Sequence, residues 1–198
     1  MSTARFMSYT QEAYATEKRG LKLSDEDIAG SFGHLRTTWE PWGINDIDAA
    51  IEEADAIAKS GLQNVELYPD TLEVLEALHY AGKQLALITS SSHDHIQRQL
   101  EKYYVERFFK CIITAYDITH HKPHPEPLEK ALQAFGGTKS QAVMIGDSDK
   151  DLGAANNAGI DSILFYPPEH KKFYDLDKLR QLGPTYIVDD FRKIVEIV

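Results

Sequence analysis

Two carboxylates, a lysine and a run of hydroxyls stand where apolar segments end. In VMIGDSDKDLGAANNAG, residues 143 to 159, an apolar run closes on Gly146 and Asp147, and Asp151 follows four residues on. Carboxylates held together at such a point repel each other unless a cation or a catalytic task keeps them there. Upstream, QLALIT leads into Thr89, Ser90, Ser91 and Ser92, and CIITA leads into YDITHHKPHPEP, which carries Lys122. Hydroxyls and backbone N–H groups at a helix N-terminus suit a phosphate. A lysine brings a compact positive charge, and one or two carboxylates are how proteins hold Mg2+ that also binds phosphate. Phosphoryl transfer asks mainly for positioning and charge neutralisation, so the set is the electrostatic half of such a site.

Each member also has a plainer reading. The serine run could cap a helix, Lys122 could be a solvated loop lysine, and Asp147 could serve the turn after Gly146. Asp151 could cap its own helix. What favours chemistry is the combination, and that depends on the elements that carry it.

From residue 67 onward, helix and strand alternate: DTLEVLEALHYAG, QLALIT, HDHIQRQLEKYY, CIITA, PEPLEKALQAFG, AVMIG, DLGAANNAG, SILFY, YIV and FRKIVEIV. The strand segments are short, continuous and rich in Ile, Val and Leu, as parallel strands covered on both faces are. This order predicts an α/β fold with an open, doubly wound parallel sheet. Such sheets place ligands at the carboxyl ends of their strands. Residues 1 to 66 predict helices only: YTQEAYATEKRG closing on Gly20, LSDEDIAGSFGHLRTTW opening at Ser24, and INDIDAAIEEADAIAKSG closing on Gly61. Ser24 and Asp27 have the spacing of a capping box. Ile47, Ala50, Ile51, Ala54, Ile57 and Ala58 make one buried stripe.

The composition narrows the function. A net charge of −10 argues against wrapping nucleic acid or an anionic membrane. The one cysteine, Cys111, cannot close an internal disulfide and suits a reducing compartment. No apolar run reaches the roughly 18 residues of a spanning helix, and MSTARFMSYTQEAY lacks a signal-like apolar core. A cytoplasmic address is expected.

Residues 67 to 198 resemble the haloacid dehalogenase-like hydrolases, in the subgroup of phosphoglycolate phosphatases and phosphosugar mutases. LYPDTLEVLEALHYAGKQLALITSSS resembles the return from the cap and the second motif, with Thr89 at its Thr/Ser position. HHKPHPEPLEKAL resembles the third motif, with Lys122 as its lysine. MIGDSDKDLGAANNAG resembles the fourth, with Asp147 as the metal carboxylate and Asp151 as its supporting, outer acid. The resemblance implies a Rossmann-like core over residues 67 to 198, a small helical cap over residues 1 to 66, and Mg2+-dependent hydrolysis of a small phosphorylated metabolite. It assigns the substrate phosphate to Thr89, Ser90 and Lys122.

The family's first motif, a strand ending in DxDGT-like residues that supply the nucleophile, has no counterpart in this sequence. The chain opens with MSTARF and enters its first helix directly. An N-terminal truncation or a mis-assigned start is therefore expected, with about 10 to 20 upstream codons for one short strand and its turn. Without that strand the covalent route has no acceptor, and its two neighbours in the sheet lose a partner. A relative that keeps phosphate or partner binding without catalysis is the competing reading. A response-regulator-type phosphoacceptor would need an acidic pair after its first strand, which is absent. Asp189 and Asp190 in IVDDF lie too far along the chain to substitute. His120, His121 and His124 match no closed zinc spacing and read as loop histidines. Trp39 and Trp42 read as packing within the helical region, and Arg36 as a surface arginine with an alternative role toward a substrate anion.

Overall fold

The computed structural model describes residues 11–24, 27–28, 39–61, 66–91, 93–172 and 174–198. The chain divides into two compact units, residues 1–69 with 169–174, and residues 70–168 with 175–198. Arg36 lies outside the described residues, as does most of the segment expected to be a helix from Ser24.

The first unit is built around aromatic packing. A helix over residues 11–19 winds as a π-helix through Tyr14–Lys18 and ends at Gly20, whose φ of +63° suits a residue without Cβ. Its Tyr14 ring stacks on Trp39 at 5.2 Å, with the planes 8° apart. Helix α1 (Ile47–Gly61) adds Ala50 and Ala54 to the same cluster, together with Ile44 and, at its margin, Trp42, Ile51 and Ile57. The 3.6-residue stripe thus faces a core. Ser24 and Asp27 close their capping box reciprocally, Ser24 N–H to Asp27 at 2.8 Å and Asp27 N–H to Ser24 Oγ at 3.1 Å. The segment 169–174 returns to this unit and brings His170, fully buried, to the Tyr68 hydroxyl at 2.7 Å.

The second unit runs α2 (Thr71–Tyr80), β1 (Leu85–Ile88), α3 (His93–Tyr103), β2 (Phe109–Ile113), α4 (Glu126–Phe135), β3 (Val143–Gly146), α5 (Asp149–Ala158), β4 (Asp161–Phe165), α6 (Leu176–Gln181), β5 (Tyr186–Val188) and α7 (Lys193–Ile197). Every strand pair is parallel, as the alternation of helix and strand requires. Leu128 of α4 and Ala154, Ala155 and Ala158 of α5 form a buried cluster with Ile160. Small alanines bring α5 close to its neighbours.

The parallel ladder comes in two pieces. Among the described residues β1 pairs only with β2, and β3, β4 and β5 make a separate three-stranded sheet. Burial follows pairing. β4 has neighbours on both edges and is buried from Ser162 to Phe165, whereas β1 and β3 are half-buried along their whole length. Between them lies a cavity of about 710 Å3 lined by both strands.

Candidate active site

The site is assembled where β1 and β3 end. Lys122 Nζ donates to Asp151 Oδ1 at 2.6 Å and approaches the Ile88 carbonyl, the last residue of β1, at 3.5 Å. One lysine therefore ties the carboxyl end of β1 to the start of α5. The other Asp151 oxygen accepts from the Asp147 N–H at 3.2 Å, the Ser148 N–H at 3.2 Å and the Ser148 hydroxyl at 2.7 Å. Asp151 is the third-position partner of a capping box that Ser148 opens. Its turn fits beneath the strand end because residue 146 is glycine: a Cβ there would overlap the Asp151 side chain.

Asp147 follows directly on β3. Burial pushes its carboxyl up to about 6, and the Asp151 charge adds to the effect, against a smaller opposing pull from Lys122. A carboxylate in this position is short of positive charge. The donor set is hard oxygen, and Asp147, directly after β3, is the carboxylate whose position suits a cation. One carboxylate, with water and phosphate oxygens filling the other positions, is a normal way to hold Mg2+. The residues present fit that ion.

Thr89 continues the β1–β2 ladder through its N–H to the Ile113 carbonyl at 2.9 Å. Its hydroxyl accepts from the Ser91 N–H at 3.1 Å, closing a tight turn before α3. Ser90 is exposed beside it, and Ser92 lies outside the described residues. The structure thus brings Lys122, Asp151 and Asp147 together and places Thr89 next to the carbonyl that Lys122 approaches. Asp189 is exposed and pairs with Lys193, and Asp190 is half-buried and pairs with Arg192.

Sequence reasoning missed the residues that hold the lysine loop. Asn157 Nδ2 donates to the Pro123 carbonyl at 2.9 Å. Gly153 lies under Pro123, where an added Cβ would be 2.7 Å from the proline Cβ. Glu126 accepts the N–H groups of Thr119 at 3.0 Å and His120 at 2.8 Å, which hold its carboxyl down at about 2. The one available signal was periodic: Gly153 and Asn157 are four residues apart on α5, hence on one face.

His120, His124 and Glu126 bring three possible ligand atoms within 4.8 Å of one another. Their geometry serves the loop instead. Glu126 is engaged by two backbone amides, by His120 Nδ1 at 3.0 Å and by Lys130 at 3.0 Å. The two imidazole rings stack at 4.4 Å and 26°, so their in-plane lone pairs run side by side rather than converging on an ion.

Comparison with known proteins agrees with this geometry. The pyrophosphatase PpaX of Halalkalibacterium halodurans is 28% identical over 191 residues, covering 96% of this chain and 86% of that protein. PpaX of Anoxybacillus flavithermus is 32% identical over 136 residues, 68% of this chain, and the matched region spans 63% of that relative's length. A haloacid dehalogenase-like family hydrolase from Streptococcus pneumoniae shares the fold with a TM-score of 0.79 at 21% identity, over 98% of this chain and 91% of that one. The family model for haloacid dehalogenase-like hydrolases matches residues 3–165. That match takes in the elements carrying Thr89, Lys122, Asp147 and Asp151, and the chain belongs to the haloacid dehalogenase-like hydrolase family.

Proposed function

We propose that the site takes the phosphoryl group of a small phosphorylated metabolite, in a Mg2+-assisted phosphatase-type hydrolase. The observation that carries this reading is the buried Lys122–Asp151 pair beside Asp147, at the ends of two parallel strands. An ammonium group has three donors. Asp151 takes one and the Ile88 carbonyl faces a second, so the third is left for a phosphoryl oxygen. The Thr89 hydroxyl accepts from the Ser91 N–H, so its own proton remains to donate to the same group. Ser90 adds a second hydroxyl at the rim. Asp147 would hold Mg2+, which when bound neutralises phosphoryl oxygens.

Residues 1–66 as a helical cap and residues 67–198 as the core belong to the same reading, as does a cytoplasmic address. Among the described residues no helix is long and apolar enough to cross a membrane. The PpaX relatives make pyrophosphate a substrate to test beside phosphomonoesters. A second reading, binding without turnover, is favoured by one observation: among the described residues the carboxylates named at this site are Asp147 and Asp151, and Asp151 is committed to Lys122 and its own turn.

Equilibrium binding of inorganic phosphate, with and without Mg2+, tests the site directly. Lys122→Ala should weaken binding about tenfold or more, the loss of one charge-assisted contact. Asp147→Asn should remove the Mg2+ dependence. Phosphate affinity that both variants leave unchanged would sink the proposal. Phosphate release from pyrophosphate and a generic phosphomonoester then separates hydrolase from binding protein.

A further inference from the structure

Among the described residues three tyrosines are largely exposed: Tyr80 at 87%, Tyr104 at 77% and Tyr116 at 81%. Tyr80 ends α2 and Tyr104 follows α3, so both precede strands, whereas Tyr116 comes just after β2. In a parallel sheet that position belongs to the carboxyl edge, where ligands bind. Two contacts tie its turn to the segment that follows β1. The Ala115 N–H donates to the Ser91 carbonyl at 3.3 Å, and the Ser91 N–H donates to the Thr89 hydroxyl at 3.1 Å. Asp117 is also near enough to His93, the first residue of α3, for the imidazole charge to act on it. The turn itself is closely held. Asp117 Oδ2 accepts from the Thr114 N–H and the Thr114 hydroxyl, each at 2.7 Å, and the Asp117 N–H donates to the Thr114 carbonyl at 3.2 Å. The Thr114 donors hold the Asp117 carboxyl below the usual carboxylate range. Lys130, the cation bonded to this turn, is engaged by Glu126 and by the Asp117 carbonyl.

We propose that Tyr116 is a specificity-determining residue, on which an uncharged planar ring in the alcohol part of a phosphate monoester stacks, a role that rests on the phosphate reading of the site. Thr89, Ser90 and Lys122 hold the phosphoryl group, and the turn after β2 meets the group esterified to it. Charge chooses the occupant. A second anionic group at this turn would face the Asp117 carboxylate, whereas a neutral ring meets no such cost. Flatness follows from the tyrosine: two rings attract through their faces and edges beyond what burial alone gives. A ring already fixed by its turn also loses little freedom on binding. The substrate class is then an aryl or nucleoside monophosphate, rather than an ester of an aliphatic or acidic alcohol.

The test titrates the full chain, with Mg2+ present, with inorganic phosphate, phenyl phosphate, cyclohexyl phosphate and adenosine monophosphate. Phenyl and cyclohexyl phosphate are close in size, so the difference between them isolates the flat ring. Phenyl phosphate should bind about threefold to tenfold more tightly than cyclohexyl phosphate. Tyr116→Leu should abolish that preference and Tyr116→Phe should keep it, while both leave the affinity for inorganic phosphate unchanged. The ring protons of bound phenyl phosphate should shift upfield in the NMR spectrum with wild type, and not with Tyr116→Leu. Tighter binding of adenosine monophosphate than of phenyl phosphate, lost in Tyr116→Leu, would support a nucleoside, and the reverse order an aryl alcohol. Equal affinity for phenyl and cyclohexyl phosphate, or a preference that survives Tyr116→Leu, would overturn the role of Tyr116 and leave the phosphate site standing. Phosphate affinity that Lys122→Ala leaves unchanged would overturn both.

Discussion

Lys122 and Asp151, 29 residues apart in sequence, meet in a 2.6 Å ion pair whose side chains are only 11% and 7% exposed. The pair joins the carboxyl end of β1 to the turn that follows β3. Its burial means that each charge depends on the other, because a lone charge there keeps its desolvation penalty and loses its compensation.

Breaking the pair from one side should therefore destabilise the chain by about 3–5 kcal/mol. Lys122→Met should be the more damaging change, since it leaves Asp147 and Asp151 facing each other. The double variant Lys122→Met with Asp151→Asn should cost less than the sum of the single changes. Urea unfolding of all four proteins closes the cycle, and simple additivity would show that the pair is not coupled.

Asp147 gives the metal-free protein a distinctive pH response. Its carboxyl titrates near 6 when folded, against 3.8 ordinarily, so between those values the folded chain binds the proton more tightly than the unfolded chain. Stability should then fall as pH rises from about 4 to about 6 and stay lower above that. The loss should be on the order of 1 kcal/mol, below the full value of about 3 kcal/mol for such a shift, because water reaches the half-buried rim. Relative to wild type, Asp147→Asn should lose this slope and its share of stabilisation by Mg2+. Denaturant midpoints across this range, with and without Mg2+, provide the check.

Gly153 is predicted to set the position of the lysine loop. An alanine would place its Cβ 2.7 Å from that of Pro123 and push the loop away from α5. Overpacking of this kind costs about 1–3 kcal/mol. Phosphate affinity should fall as well, although residue 153 is not among the proposed phosphate-binding groups. An alanine variant with unchanged affinity would show that the loop yields without moving Lys122.

His170 sets a second pH dependence, opposite in sign. Burial lowers its imidazole from 6.5 to about 4. As pH falls through that window the unfolded chain takes up the proton first, so stability is full above about 6.5 and is lost progressively toward 4. The loss should reach at most about 3 kcal/mol. His170→Gln should be less stable at neutral pH and flatter below it, as measured by thermal unfolding at a series of pH values.

The parts of this molecule that were legible in the sequence are those decided locally or by pattern. Helix and strand segments showed in their periodicity. Ser24 and Asp27 declared a capping box through their spacing, and the motifs around Thr89, Lys122 and Asp147 carried the family. What stayed hidden depends on contacts between distant segments. His170, in a lysine-rich stretch, reads as a surface histidine until Tyr68, 102 residues away, is seen against it. Glu126 looks like an ordinary first-turn acid, yet it gathers two amides from the preceding loop. The π-turn at Tyr14 has no composition of its own, because stacking on Trp39 is a tertiary contact.

The seam between β1 and β3 also bears on how the second unit comes apart. Hydrogen-bonded ladders make unfolding cooperative because neighbouring strands must open together. Among the described residues no strand pairing crosses the seam, and α4, α5 and the Lys122–Asp151 bridge carry the coupling there. The β1–β2 pair therefore forms a subglobal opening unit of its own, less protected than the three-stranded sheet in which β4 is covered on both sides. Native-state hydrogen exchange should resolve two opening free energies within this unit, the lower one belonging to the strand whose end carries Thr89.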